Sequence, residues 1–336
     1  MTAPPIWLTE ADVTSSIDLA AAIGALERVL AAEAAGQAKN MTKAHVMVGP
    51  NDALQAIGGA VAAERACGTK TWVNIAGKSQ TVLILFSLVD GSLRAVIEAT
   101  ALGQIRTAAM SGVGTNWLAP EGAREMAIIG TGKQALPQIA AVAAVRPIER
   151  VRIFSRKEEN RQALAHAVRA ELPEIEVVPV ASLEAAVADV PIVTLCTNAT
   201  QPFFTGDMAR PGTHINAIGA IVSSRSEFTA DVFPRCTTIA VDTVDGVKEI
   251  SREFIDYFGA GRDSWDRVHP ISEVIRAGRR RPADADLTLF KAMGMGLADV
   301  AVAIEIMKRC EARNLGHVLP ERVRQTLPLT TAKAAE

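Results

Sequence analysis

A glycine-rich turn at residues 130–135 constrains the fold of this chain more than any other feature. The segment Gly130-Thr131-Gly132-Lys133-Gln134-Ala135 follows an apolar run and precedes a stretch with helical periodicity. In a G-x-G-x-x-A turn, the first glycine permits the tight turn, the second lets the backbone approach a pyrophosphate, and the alanine keeps helix and strand close. The free N–H groups of the following helix then favour phosphate. The turn predicts a dinucleotide site, and we assign all six residues to it.

Short apolar runs alternate with helix-length segments from Pro120 onward. Strands separated in this way form βαβ units with parallel strands and right-handed crossovers. This context distinguishes the turn from the many glycine turns that bind nothing. We therefore predict an α/β fold with a Rossmann-type doubly wound parallel sheet. Its predicted strands are Met126–Ile129, Val151–Phe154, Ile175–Val178, Ile192–Leu195, His214–Ala217 and Thr238–Val241.

The residues before Pro120 follow a different pattern. Capping-box sequences begin at Thr9 and Ser15, and apolar residues then recur at helical spacing. Later stretches are richer in β-branched residues and contain an Asp90-Gly91 hairpin signal. The predicted elements are a helix over 9–38, strands within 42–49 and 70–97, a helix over 98–118 and, at the other end of the chain, a long helix from about Thr288 to about Arg313.

The residues after the second strand of the parallel sheet bear on the choice between NAD and NADP. A carboxylate about 20 residues beyond the glycine turn would bind the ribose 2′-hydroxyl of NAD. The chain has Ser155-Arg156-Lys157 at this place. A hydroxyl and two cations suit a 2′-phosphate, which arginine holds through several donors. The sequence therefore favours NADP(H), with NAD(H) possible, and a solvated basic turn is the alternative interpretation.

Three cations in the first part of the chain are candidates for binding a small acid. Arg106 has mostly small or apolar neighbours, so its guanidinium is expected to be paired or to lie in a cleft. Its planar donors match both oxygens of a carboxylate, whereas Lys43 and Lys70 would act as point charges whose pKa burial can lower. Taken singly, each is more often a surface side chain.

Five segments of the chain form a specific pattern when they are taken together. They are Gly68-Thr69-Lys70 with Asn74, 105–111, 129–135, 215–220 with Glu227, and 288–294 with Asp299. In this order they resemble the ornithine cyclodeaminase/mu-crystallin family over nearly the whole chain.

The resemblance implies a homodimer and two domains. Residues 1–118 and 300–336 would form an α+β substrate-binding and dimerisation domain, and residues 119–299 the Rossmann domain. The resemblance also implies that Lys43, Lys70 and Arg106 face the carboxylate of the substrate. We further assign Thr107, Thr197, Gly219 and Ala220 to the cofactor site.

The chain departs from this family's pattern at Ile221. In members that cyclise ornithine or oxidise alanine, an Asp at this place acts as acid and base at the substrate amine, and isoleucine cannot carry a proton. A positioned base contributes roughly 10²–10⁴-fold to such proton transfers. Reducing an already protonated imine requires an anchored carboxylate, an oriented carbon and exclusion of water. Mu-crystallin-like ketimine reductases resemble the chain in lacking this Asp.

These features favour an NADPH-preferring reductase of a small α-imino acid, cyclic or acyclic, with Lys70 as proton source by its matched position. Run backwards, the same site is an amino-acid dehydrogenase. One alternative is a cyclodeaminase-type lyase that uses bound NAD without net turnover. Another is a catalytically silent, crystallin-like binding protein. Glu227 either belongs to the site or is a helix-start residue facing the helix dipole.

Composition and residue spacing argue against several other classes. A net charge of -2 and 4% aromatic residues give no sign of nucleic acid or an anionic membrane as partner. No apolar run approaches the roughly 20 residues of a membrane span, and no signal-peptide pattern is present; we expect a cytoplasmic protein. The four cysteines and five histidines lack metal-ligand spacing, so no metal is predicted. His214 is predicted to be a core histidine with satisfied hydrogen bonds.

Overall fold

Two β-sheets organise the protein in the computed structural model, which describes residues 4–49, 52–278, 280–320 and 323. The strands of the first sheet are β1 (Ile6–Leu8), β2 (Ala38–Met47), β3 (Ala53–Val61), β4 (Ala66–Ile75), β5 (Lys78–Ser87), β6 (Leu93–Glu98) and β15 (His317–Val318). Their spatial order is β15-β1-β6-β5-β4-β3-β2. Among the described strands of this sheet, β1 and β6 pair in parallel and the other pairs are antiparallel. The predicted Asp90-Gly91 turn joins β5 to β6, with Gly91 at a φ of 72°.

The second sheet is parallel throughout. Its strands are β7 (Glu125–Ile129), β8 (Arg150–Phe154), β9 (Glu176–Pro179), β10 (Ile192–Leu195), β11 (His214–Ala217), β12 (Cys236–Val241), β13 (Val268–Pro270) and β14 (Leu287–Lys291). Their order is β13-β12-β14-β11-β10-β7-β8-β9. The chain direction across the sheet reverses at β7, between β8 and β10, which is the switch point where doubly wound sheets bind ligands. The predicted fold class is confirmed.

Helices cover both sheets. They are α1 (Glu10–Ser16), α2 (Leu19–Ala34), α3 (Thr100–Leu118), α4 (Ala135–Ala143), α5 (Glu158–Glu171), α6 (Leu183–Val187), α7 (Val232–Arg235), α8 (Val244–Ile250), α9 (Arg252–Phe254), α10 (Ile271–Arg276) and α11 (Gly296–Ala312). The largest apolar cluster joins the first sheet to α2, α3 and α11. None of the helices in the described ranges combines the length and the apolarity needed to cross a bilayer.

The single helix predicted over 9–38 is wrong in part, because the structure has two helices there. The capping box at Thr9 forms as predicted and begins α1. The second cap is Asp18 rather than Ser15, since the Asp18 side chain accepts a hydrogen bond from the backbone N–H of Ala21 at 2.7 Å. This cap begins α2 in a new direction, and the helix ends at Ala34, before β2.

The long helix predicted from Thr288 is also wrong at its start. Leu287–Lys291 forms β14, a central strand between β11 and β12, and all five residues are buried. The helix begins only at Gly296, after a turn in which Gly294 has a φ of 94°.

The division of the chain into one domain of residues 1–118 with 300–336 and a second domain of residues 119–299 stays a prediction.

His214 lies fully buried on β11, as predicted for a core histidine. Its Nδ1 is 3.0 Å from Thr288 Oγ1, and its Nε2 is 3.2 Å from Asn216 Oδ1. Burial lowers the pKa of His214 to about 3, so the ring is neutral in the folded protein.

Candidate active site

The glycine turn lies between β7 and α4 and leaves open space for a phosphate. Gly130 has a φ of 111°, and a Cβ there would lie 2.2 Å from the carbonyl oxygen of Cys196, so only glycine fits. A Cβ on Gly132 would meet nothing within 4 Å. Ala135 is fully buried at the start of α4, which keeps the helix close to the sheet. The turn therefore fits the pyrophosphate of a dinucleotide at the helix N-terminus.

A cleft of about 1100 Å³ extends from this turn along the carboxyl ends of β7, β8 and β10. Arg156 and Lys157 are exposed in it, and the only ion pair of either cation among the described residues is the 3.8 Å contact of Lys157 with Glu159. Such a basic end suits a ribose phosphate. The predicted cofactor residues that line this cleft are Gly130, Thr131, Gly132, Ser155, Arg156, Lys157 and Thr197.

The other predicted cofactor residues do not line this cleft. Lys133 is exposed on the turn, and the side-chain oxygen of Gln134 is buried without a hydrogen-bond partner among the described residues. Thr107 lies on α3, where its carbonyl accepts a 3.5 Å hydrogen bond from Gln138 of α4. Gly219 and Ala220 follow β11, next to the end of β10.

Lys70 and Arg106 meet at one carboxylate. Lys70 Nζ donates to Asp299 Oδ1 at 2.6 Å, and Arg106 Nε donates to the same oxygen at 3.1 Å. Asp299 is fully buried and Lys70 is only 5% exposed. Two cations from β4 and α3 are thus held side by side by one anion of α11. The sequence pattern points to both cations and assigns no role to Asp299.

Close packing of the α11 backbone on β3 brings Asp299 beside Lys70. The first residue of α11, Gly296, lies so near β3 that a Cβ on it would come within 2.1 Å of Gly58 N. The backbone N–H of Leu297 donates to Asn40 Oδ1 at 3.0 Å and fixes the same helix to β2. Because Lys70 of β4 pairs with Ile57 of β3, the start of α11 lies directly beside it.

Burial lowers the pKa of Lys70 to about 8 from its usual 10.5. The Arg106 and Lys43 charges add to this lowering, and Asp299 opposes it through its charge and its hydrogen bond. A lysine with such a pKa exchanges a proton near neutral pH, which is what acid–base catalysis requires.

The indole of Trp72 lies beside the two lysines named as carboxylate ligands. Lys70 Nζ is 5.2 Å from the ring centroid, and Lys43 Nζ is 5.8 Å from it. Lys43 itself is exposed on β2, and in the described ranges it forms no ion pair. The structure thus places all three predicted cations in one region.

This cation pair faces the carboxyl edge of the parallel sheet. A Cβ on Gly294, which follows β14, would lie 3.3 Å from Arg106 Nη1 and 3.5 Å from Nη2. Buried Asp242, which follows β12, accepts hydrogen bonds from the backbone N–H groups of Met293 and Gly294 and fixes this turn. Lys70, Arg106 and the glycine turn therefore lie toward the same edge of the parallel sheet.

Glu227, for which the sequence leaves two roles open, binds the loops that follow β10 and β11. It is no helix-start residue: it is fully buried between the ends of β10 and β11. One carboxylate oxygen accepts from Thr197 N at 2.6 Å and Thr197 Oγ1 at 2.8 Å, and the other accepts from Gly219 N at 2.8 Å and Ala220 N at 3.1 Å. Burial raises the pKa of Glu227, and the charge of Lys291 opposes the rise.

Ile221 extends from the same loop into solvent. It is 43% exposed, and its neighbour Val222 is also exposed. The residue directly after Ala220 is therefore an exposed aliphatic side chain. In the described part of the chain, no three His, Cys, Asp or Glu side chains are grouped so as to hold a metal ion.

Comparison with known proteins places this arrangement in a family. Residues 5–314 match the model of the ornithine cyclodeaminase/mu-crystallin family. The chain belongs to this family. The resemblance seen in the sequence is thereby confirmed.

Two relatives within the ornithine cyclodeaminase/mu-crystallin family carry names that specify a reaction. The chain is 30% identical to a Delta(1)-pyrroline-2-carboxylate reductase of Bacillus cereus over 237 residues, 70% of this chain and 72% of the relative. It is 30% identical to the ketimine reductase mu-crystallin of Mus musculus over 250 residues, 72% of this chain and 75% of the relative.

A solved structure is similar over nearly the full chain. It is the Delta(1)-pyrroline-2-carboxylate reductase of Thermococcus litoralis in complex with NADH and L-proline. The TM-score is 0.86 at 25% sequence identity, and the match covers 94% of this chain and 100% of that one.

Proposed function

We propose that this protein is an NAD(P)H-dependent reductase of a small α-imino acid, an oxidoreductase acting on C=N groups. The observation on which this rests is that Lys70 and Arg106, joined by Asp299, face Gly294 at the carboxyl edge of the dinucleotide-binding sheet. The names of the family relatives, pyrroline-2-carboxylate reductase and ketimine reductase, support the same reaction class.

Arg106 binds the substrate carboxylate in this proposal. Its Nε is taken by Asp299, which leaves Nη1 and Nη2 on the side of Gly294 for a carboxylate. Lys70 contributes a second positive charge, and exposed Lys43 contributes a third at the entrance. Opposite charges in a partly dry site attract strongly, so this anchor orients the imine carbon.

Lys70 supplies the proton. A reduced nicotinamide, if held by the glycine turn and the cleft, would supply the hydride for the imine carbon. The proton passes from Lys70 Nζ to the imine nitrogen, and the neutral amine of Lys70 then recovers a proton from water. Exposed Ile221 carries no ionisable group, which disfavours the cyclodeaminase reaction, since that reaction needs further proton transfers at the nitrogen.

NADPH is the proposed preferred cofactor. Ser155, Arg156 and Lys157 line the end of the cleft and offer a hydroxyl and two cations to a 2′-phosphate. The other residues assigned to the cofactor lie in the glycine turn or near the strand ends. In this proposal they contact the rest of the nucleotide; they are residues 130–135, Thr107, Thr197, Gly219 and Ala220.

A homodimer is proposed from the exposed face of the first sheet. Val46, Leu54 and Val73 are cross-strand neighbours on β2, β3 and β4, and all three are exposed. We call these three residues the apolar row. Contiguous exposed apolar side chains mark association surfaces, and a second copy of this chain would cover them.

The cytoplasmic location expected from the sequence stays a prediction.

The decisive test measures turnover with a panel of imines. Purified protein is mixed with NADPH or NADH and with Δ1-pyrroline-2-carboxylate, piperideine-2-carboxylate, or pyruvate plus methylamine. We expect oxidation of the nicotinamide with at least one of them, and a loss of roughly 100-fold or more in kcat/KM for Arg106→Gln. Arg28→Gln, which removes an exposed arginine on α2, is the matched control.

Two outcomes would contradict the proposal. Ammonia release from ornithine without net oxidation or reduction of the nucleotide would identify a cyclodeaminase. Tight nucleotide binding without turnover of any imine would identify a silent binding protein.

A further inference from the structure

The carboxylate of Asp299 makes one unit of two side chains that come from different elements. Its Oδ1 is the shared acceptor of Lys70 Nζ and Arg106 Nε. Its Oδ2 is buried and has no hydrogen-bond partner among the described residues. A fully buried carboxylate is costly unless it is paired with cations, so this geometry is kept by the two charges themselves.

The charges around Lys70 come from three elements. Arg106 of α3 and Lys43 of β2 are like charges, which disfavour the ammonium form, as does burial. Asp299 of α11 is the opposite charge, and it is in direct contact. Without Asp299, Lys70 would lie buried beside an arginine with no counter-ion, and it would give up its proton readily.

We infer that Asp299 is a positioning residue that keeps Lys70 protonated and orients both Lys70 and Arg106 toward the substrate. The inference rests on the proposed function, because it assumes that Lys70 donates the proton. In that step the N–H bond of the Lys70 ammonium breaks and an N–H bond forms on the imine nitrogen, while the imine carbon gains the hydride. Asp299 touches neither reacting atom and acts only through the two cations.

The test compares pH profiles of kcat/KM for Δ1-pyrroline-2-carboxylate with NADPH in the unchanged protein and in Asp299→Asn. The acid form of Lys70 is the active one, so activity of the unchanged protein falls as pH rises through about 8. The neutral amide removes the stabilising charge, so in Asp299→Asn the same fall occurs about one to three pH units lower. Near pH 8 this corresponds to a loss of roughly tenfold or more, which is recovered in acid.

A merely structural role for Asp299 predicts a different profile. Activity would then drop by the same factor at every pH, with the fall at its original position, and that result would overturn the inference. Asp299→Ser, a smaller neutral replacement, is measured in the same way if the amide variant does not fold. Glu305→Gln is the matched control, because it removes another carboxylate of α11 that pairs only with Arg28 and Arg309 among the described residues.

Lys70→Ala separates this inference from the proposed function. If the alkaline fall persists without Lys70, then Lys70 is not the acid and the proposed proton transfer is wrong. If the fall disappears in Lys70→Ala but stays in place in Asp299→Asn, only the role of Asp299 is wrong.

Discussion

At the scale of single residues, Arg156 and Lys157 are exposed in the nucleotide cleft, and in the described ranges their only ion pair is the 3.8 Å contact of Lys157 with Glu159. Their positive charge is therefore available to a phosphate. Replacing both with alanine is expected to raise KM for NADPH by roughly tenfold or more, since charge-assisted hydrogen bonds contribute about 1.5–3 kcal/mol. Steady-state kinetics with NADPH and NADH measure this. KM for NADH is the internal control, and an equal rise for both nucleotides would contradict a role in 2′-phosphate binding.

Buried His214 leads to a prediction about acid stability. Its folded pKa is about 3, below the ordinary value of 6.5 that applies after unfolding. A depressed folded pKa gives stability that is complete above pH 6.5 and is lost as pH falls toward 3, because only the unfolded chain then binds the proton. The free energy of unfolding is expected to fall by up to about 1.4 kcal/mol per pH unit in this window from His214 alone.

Urea unfolding at several pH values measures this slope. His214→Asn, which keeps hydrogen-bonding capacity without the titration, should flatten it. His166→Asn, at an exposed histidine of α5, should leave it unchanged. Equal slopes for all three proteins would show that His214 does not control acid unfolding.

The sequence allowed the two site cations to be named but not the anion between them. Lys70 and Arg106 lie in segments that match a family pattern, and their type suits a carboxylate. Asp299 is separated from Lys70 by 229 positions, and its role arises only when α11 packs on β3. Spacing along a chain contains no information about such a contact.

At the scale of elements, the strand β14 shows where periodicity fails. Three of its five residues are apolar, and all five are buried because β11 and β12 flank the strand. A fully buried strand lacks the alternation of a half-buried one and cannot be told from a helix by pattern alone. The apolar run continues into the alanine- and methionine-containing residues 292–298, so the pattern predicts one helix over both segments. All six strands that the sequence predicts in this sheet are confirmed.

Glu227 joins the ends of β10 and β11, and its removal should affect nucleotide binding. In Glu227→Gln, a donating NH₂ group would replace one of the two accepting oxygens. It would face N–H donors of either Thr197 or Gly219 and Ala220, which would lose their acceptor. One unsatisfied buried donor costs about 1–3 kcal/mol. We expect the Kd for NADPH to rise roughly tenfold, with a lower melting temperature.

Fluorescence titration with NADPH and thermal melting check this expectation. Glu249→Gln, at an exposed residue of α8, is the control. A lower melting temperature with unchanged NADPH affinity would mean that Glu227 supports the fold without shaping the nucleotide site.

At the scale of the whole molecule, the apolar row predicts the oligomeric state. A charge in the centre of a covered apolar surface is costly, so Leu54→Lys should convert a dimer to a monomer. Light scattering coupled to size-exclusion chromatography measures the mass. Val89→Lys, at the opposite end of the strands, is the matched control. A monomer before any substitution, or a dimer that survives Leu54→Lys, would contradict the proposed interface.

The arrangement of sheets and helices was more predictable from the sequence than the residues at which individual helices begin and end. The glycine turn, the alternation of strands and helices and the family pattern together specified a parallel sheet with a second, mixed domain. They could not specify that α2 has Asp18 as its N-cap. Ser15 and Asp18 are both residue types that cap helices, and the sequence does not show which side chain accepts the hydrogen bond.

The placement of α3 and α11 has a consequence for motion. Helix α3 packs against both α2 and α4, and α11 directly follows the central strand β14. The Arg106–Asp299 ion pair therefore ties α11, which packs on β3, to α3, which packs on β11 and β14. Any displacement of one sheet against the other has to stretch or break this pair.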